Sequence, residues 1–365
     1  MSLENVVYIG TYTKALSHTA GKAEGIYRCR FDPASGALTV EGAVAGVDNP
    51  SFLALDPQKR YLYAVEETDD YEGRASGAVS AFAVDPDTGD LTWLNRQATG
   101  GTAPCHVSVD PTGRWVLVAN YGSGSISVYP IEEGGRLGAA SAFVQHEGGS
   151  VNPQRQQGPH AHMIVTDPGN RRVLVNDLGL DKVLLYQLDA ERGTLTPNDP
   201  PWGEIEPGGG PRHLAFHPGK DIVYVLHEIG SAVTTFAYDP DSGALTALQT
   251  LPSLPADFAG NNSTADIHVA ASGRFVYGSN RGHDSIAIFA VDDVSGTLTA
   301  LGHVSTGGQT PRNFSFDPSG NYVLAANQRT DNIVSFRVDQ GSGGLTPTGH
   351  DVQVPTPVCI LFAGQ

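Results

Sequence analysis

A chain of 365 residues, 40% hydrophobic and only 17% charged, has ample material for a buried core. Its formal charge of −17 argues against a nucleic-acid partner, because phosphate contacts need clustered Lys and Arg. The same charge requires that any anionic substrate be met by positive side chains gathered in one place, against the field of the whole protein. No run of about 18 apolar residues offers a membrane span, and the strand-like Val6-Val7-Tyr8-Ile9 stands near the start of the chain, which reads as the absence of a signal peptide. Cys29, Cys105 and Cys359 lack CxxC spacing and cannot all pair, which suits reduced thiols in the cytoplasm.

Taken in chain order, one element recurs seven times. Asp32-Pro33…Gly36…Leu38 opens the series, followed by Asp85-Pro86…Gly89…Leu91 and, after two degenerate copies ending at Leu137 and Leu195, by Asp239-Pro240…Gly243…Leu245. Further degenerate copies end at Leu298 and Leu345, so the leucines fall 46 to 58 residues apart. Between them lies a second element, an apolar strand, a Pro/Gly turn and another apolar strand: SFLAL-DP-QKR-YLYAV after Pro50, CHVSV-DP-TGR-WVLVA after Pro104, RHLAF-HP-GKD-IVYVL after Pro211 and RNFSF-DP-SGN-YVLAA after Pro311. Val, Tyr, Phe and Ile bounded by turn residues read as strands, and their near-continuous hydrophobicity implies burial on both faces. Repeats of this length holding several strands are the mark of propeller blades. The expected fold is therefore all-β, a seven-bladed β-propeller forming one domain over residues 1–365. Asn5-VVYIG aligns with the second strand of a blade and Pro357-VCILF with the missing first strand, so the last strand should pair beside the first and close the ring.

The hairpin formed by the first two strands of a blade brings the start of one and the end of the other to the same rim. The residues ending the second strand form two aligned columns. One holds Thr11, Glu66, Asn120, Asp177, His227, Asn280 and Asn327; the next holds Tyr12, Glu67, Tyr121, Leu178, Glu228, Arg281 and Gln328. First strands begin with Cys105-His106, His160-Ala161-His162, Arg212-His213, Asp266 and Arg312-Asn313. These ionisable groups converge on a channel mouth, where a propeller can bind a ligand. Local hydrogen bonding is the simpler account of His106, His213 and His268, and an interblade ion pair accounts equally for Glu228 and Arg281. A His160-x-His162 pair lacks a third metal ligand fixed by spacing, and oxygens of the first column could hold Ca²⁺ only as a minor alternative. The polar stretch Glu147–Gln157 reads as a variable loop rather than a lid.

GPHAHM, GGGPRHLAF, YVLHEIGS, SNRGHDSI, ANYGSGSISVY and PRNFSFDPSGNYVLAANQ together resemble the bacterial 6-phosphogluconolactonase family of seven-bladed propellers, from about Val7 to Phe362. That family shares its fold with fungal 3-carboxy-cis,cis-muconate lactonizing enzymes. The resemblance implies a catalytic set of His160 or His162, Arg212, Glu228 and Arg281, and register with Arg212 and Arg312 favours His162. Arg312, Asn280, Asn327, Gln328, Glu67 and His106 stand as substrate-binding candidates. The implied reaction is hydrolysis of a phosphorylated sugar δ-lactone, a small anionic substrate, with an imidazole or Glu base, an Arg oxyanion partner and bidentate Arg grip on the phosphate. No cofactor or metal is required, and a monomer or small homo-oligomer suffices. A muconate-type cycloisomerase, a non-catalytic propeller that binds a protein partner and a metal-dependent lactonase on a similar propeller are the alternatives.

Overall fold

The hairpin turns explain themselves from the Asp-Pro repeats. In the computed structural model, which describes residues 3–16 and 19–364, Asp110 Oδ1 accepts from the backbone N–H of Arg114 and Trp115, each at 2.8 Å. Asp56 does the same for Arg60 and Tyr61, and Asp167 for Arg171 and Arg172. One carboxylate thus satisfies the donors of each tight turn, as Asx-type turns do, and sets the register of the strands it joins. Met1, Ser2 and Gln365, the ends of the expected 1–365 unit, lie outside the described residues, as do Ser17 and His18.

The described residues form seven four-stranded antiparallel sheets, and in six of them the strands follow chain order across the sheet without crossover. One blade, for example, runs Pro211–Phe216, Ile222–His227, Ala232–Tyr238 and Leu245–Pro252. The first blade takes its inner strand from the other end of the sequence: Pro357–Phe362 pairs antiparallel with Val6–Thr11, with Val7 opposite Phe362 and Ile9 opposite Ile360. The seven-bladed ring and its closure agree with the expectation. Second strands such as Trp115–Asn120 and Tyr322–Asn327 are buried at every residue, because both faces pack against neighbouring blades. The core lies between blades rather than at one centre; Tyr322, Leu324 and Ile333 of the last blade share a cluster with Val7, Ile9 and Phe31 of the first.

A tyrosine on the second strand repeatedly fastens one blade to the next. Tyr8, Tyr63, Tyr224 and Tyr277 donate from their hydroxyls to the carbonyls of Gly89, Gly135, Gly296 and Gly343, and Tyr322 reaches Ala34 across the closing seam. The glycine of the first repeat is required by its backbone: Gly36 has φ 80°, and a Cβ there would lie 2.5 Å from the Tyr322 ring. Repeat leucines begin, or fall within one residue of the start of, the outer strand in six blades; Leu137 departs, because it bridges Ile131 while the outer strand starts only at Ala142. Among the described residues no helix is long and apolar enough to cross a membrane.

Candidate active site

The ladder between the first two strands of most blades breaks at the same place. Register shifts fall between Pro104 and His106, Ala161 and Met163, Pro211 and His213, and Pro311 and Asn313. Cys105, His162, Arg212 and Arg312 are the residues left over, and a bulge of this kind unpairs a residue and re-aims its side chain. Equivalent positions on the other inner strands are Ser51, Ala265 and Val358. Together they ring the rim of the central channel. The next ring down holds Phe52, His106, Met163, His213, Asp266, Asn313 and Cys359.

The two columns at the ends of the second strands point opposite ways, as successive strand residues must. The first turns into the wall of the ring, toward its own third strand or the segment that leaves the preceding blade. Asn280 Nδ2 donates to Ser253 O while its Oδ1 accepts from Ser253 Oγ, and Asn327 Nδ2 donates to Thr306 O. Thr11, Glu66 and Asn120 likewise bond to the third or fourth strand of their blades or the loops beside them. Asn280 and Asn327, expected to bind substrate, are thus engaged with Ser253 and Thr306 in the wall of the ring. The second column turns to the mouth and brings in Tyr12, Glu67, Tyr121, Glu228 and Arg281.

Glu228 is the hub. Its Oε2 takes Arg212 Nη1 at 2.6 Å and Arg281 Nη2 at 3.0 Å, and its Oε1 takes Arg155 Nη2 at 2.6 Å. Burial alone would raise its pKa, but the guanidiniums of Arg281, Arg212 and Arg155 together hold it well below the usual carboxylate range. Burial, reinforced by Arg212 and set against Glu228, lowers the Arg281 pKa to about 9. His162 Nε2 meets Arg212 Nη1. A guanidinium can only donate, so Nε2 carries the lone pair and the ring is neutral. Burial first, then the Arg212 charge, accordingly drives the His162 pKa well below 6.5. Nδ1 then bears the proton and faces Cys105 Sγ at 3.8 Å. The Cys105 thiol is itself pushed upward by burial and by Glu67, so it is no nucleophile at neutral pH.

Arg212 is steadied further by Nε donating to Ala265 O at 2.7 Å. Arg312 lies over the Tyr12 ring, and Tyr12 donates to Glu67 at 2.9 Å. Arg212, Arg312, Glu67, Cys105 and His213 enclose one small recess. Gln328 occupies the position equivalent to Glu67 and Glu228, and its buried Oε1 has no partner. His160 is not brought to Glu228: Nδ1 donates to Tyr121 O at 2.9 Å and the ring stacks on Tyr121. His106 lies one ring down, packed against Phe52 and His213. There His213 Nδ1 bonds Asp266 Oδ1 at 2.8 Å, while Asp266 Oδ2 takes His268 and Asn313.

Two mouth residues escaped the sequence reading. Tyr121 stood in the right column but was passed over. Arg155 had no repeat to align with, since it belongs to the 147–157 stretch, which is not the plain variable loop expected.

Residues 6–362 match the family described as "Lactonase, 7-bladed beta-propeller", so the chain belongs to that family of propeller lactonases. It is 40% identical over 358 residues to the 6-phosphogluconolactonase of Bacillus subtilis, covering 98% of each chain, and 33% identical over 317 residues to that of Formosa agariphila, covering 86% of each. Among solved structures, the Pseudomonas aeruginosa periplasmic gluconolactonase superposes with a TM-score of 0.89 at 35% identity over 98% of both chains.

Proposed function

We propose that the protein hydrolyses 6-phospho-D-glucono-1,5-lactone to 6-phosphogluconate, with His162, Arg212, Glu228 and Arg281 as the reacting constellation. The observation that carries this is the neutral His162 capped by a guanidinium: among the described residues, Arg212 Nη1 occupies the lone pair of the one imidazole paired with the Glu228 hub. A lactone carbonyl entering between them would draw the Arg212 N–H onto its oxygen, and His162 Nε2 would be freed in the same movement. Water then attacks the carbonyl carbon and gives its proton to Nε2. Arg212 stabilises the oxyanion through the N–H released from His162, while Ala265 O and Glu228 keep the guanidinium in place. Collapse of the intermediate breaks the bond to the ring oxygen, which recovers the proton from His162. Glu228 stays ionised and holds both guanidiniums. Arg281 and Arg312 would bind the anionic end of the substrate, and Gln328 Oε1 and Glu67 are suited to accept sugar hydroxyls.

The names of the Bacillus and Formosa relatives support the phosphorylated substrate; that of the Pseudomonas structure favours the unphosphorylated lactone as a second reading. Steady-state rates on 6-phosphogluconolactone, gluconolactone and carboxymuconate separate the two and test the cycloisomerase alternative as well. Arg212→Leu should cripple turnover with circular dichroism unchanged, and wild-type hydrolysis by that variant would sink the assignment. A cytoplasmic monomer or small homo-oligomer suits the chain, since all these groups come from one chain and Cys29, Cys105 and Cys359 are free and buried. Cell fractionation decides the compartment, given the periplasmic Pseudomonas relative.

A further inference from the structure

The segment between the strands Ala142–Gln145 and Ala161–Thr166 is built to present one side chain. Gln156, fully buried, donates to Asp181 Oδ1 at 2.7 Å and to Leu178 O at 2.9 Å, and Ser150 Oγ donates to Asp181 Oδ2. Asp181, also buried, further accepts from the backbone N–H of Gly208 and Gly210. Asn152 Oδ1 takes the N–H groups of Gln154 and Arg155. The loop is thus nailed to the rim of the next blades, and Arg155 reaches from it to Glu228 Oε1 at 2.6 Å and Tyr121 Oη at 3.2 Å.

Arg155 differs from its neighbours in freedom. Its side chain is 41% exposed, against 4% for Arg212 and 9% for Arg281. It alone holds Oε1 of Glu228, while Oε2 keeps both other arginines. Arg155 can therefore leave without stripping the carboxylate of its partners. Charge gives the reason to leave. Four guanidiniums (Arg155, Arg212, Arg281, Arg312) face two carboxylates (Glu67, Glu228), a surplus of two positive charges in a chain of net −17. A phosphomonoester carries about −1.5 to −2 at neutral pH, so it balances that surplus where a neutral sugar lactone cannot.

We infer that Arg155 is the residue that selects a phosphorylated substrate. It exchanges Glu228 Oε1 for phosphate oxygens at the rim, and the exchange leaves Oε1 open to accept a substrate hydroxyl. This deepens the function proposed above and rests on it. The exchange moves a hydrogen bond and no covalent one.

The test is the preference ratio, kcat/KM for 6-phosphogluconolactone over that for gluconolactone, measured on the full chain. Charge-assisted bonds to phosphate predict that Arg155→Ala lowers this ratio about 10–100-fold, whatever happens to the absolute rates, and that Arg155→Lys recovers part of it. An unchanged ratio, including parallel loss on both substrates, overturns the assignment. If the wild type fails to open the phosphorylated lactone, the substrate proposal falls separately. Arg155 is then judged by the affinity ratio of 6-phosphogluconate to gluconate, and a ratio equal in wild type and Arg155→Ala overturns the role.

Discussion

Replacing Glu228 by Gln is the most informative perturbation, because it keeps the shape of the hub and removes its charge. Three guanidinium contacts of 2.6, 2.6 and 3.0 Å then face an amide that can offer only one oxygen. Breaking a buried ion pair from one side costs about 3–5 kcal/mol, and Arg155, being partly exposed, can turn to solvent and contributes little of it. The whole loss should thus come from Arg212 and Arg281, and about 3–5 kcal/mol is a large share of the roughly 5–15 kcal/mol that holds a folded protein. Glu228 has a depressed folded pKa, so its contribution is fully present above pH 4.5 and fades as pH falls through the folded value. Urea unfolding at pH 7, followed by tryptophan fluorescence, measures the difference, and added inorganic phosphate should narrow it by binding among the unpartnered guanidiniums. An E228Q protein within about 1 kcal/mol of wild type at pH 7, with turnover intact, would refute the idea of a charged hub.

Two further predictions concern protons. Because His162 is held neutral well below pH 6.5, kcat/KM for the lactone, corrected for uncatalysed opening, should stay level as pH falls through 6.5 and drop only in more acid solution; an acid limb with its midpoint at or above 6.5 would exclude His162 as the base. His227, buried with Nε2 facing Thr234 Oγ1 at 3.0 Å, has its pKa lowered by burial to about 4. The unfolded chain therefore binds a proton near pH 6.5 that the folded one refuses, and stability should fall by about 3 kcal/mol between pH 6.5 and 4, a slope in unfolding free energy that His227→Gln should flatten.

The ring was legible because a blade repeats its own chemistry: Asp56, Asp110 and Asp167 tie equivalent turns, and equivalent leucines open equivalent outer strands. Arg212, Glu228 and Arg281 were legible for the opposite reason, as departures from that repeat at matching positions. The sequence could not say which of two adjacent columns faces the channel, since both end the same strand and carry polar residues; Asn280 and Asn327 of one column bond to Ser253 and Thr306, while Glu228 and Arg281 of the other meet at the mouth. Nor could it reveal the bulge that aims His162 and spares His160, because a bulge is a property of pairing between strands rather than of either strand alone. Arg155 was hidden for a third reason. It lies where one blade departs from the repeat, beyond a shortened outer strand, so alignment between blades had nothing to set beside it.

The pairing of Pro357–Phe362 with Val6–Thr11 also sets a clock on synthesis. At roughly 5–20 residues per second, about 20–70 s separate the appearance of Val6–Thr11 from that of its partner. Through that interval an apolar strand waits with one edge unclaimed. Its tyrosine latch to the second blade forms early, yet the seam that joins Tyr322 to Ala34 must wait for the final turns of translation. A chain that stops short of Pro357 therefore forms an open arc with two unpaired edges rather than a slightly smaller ring.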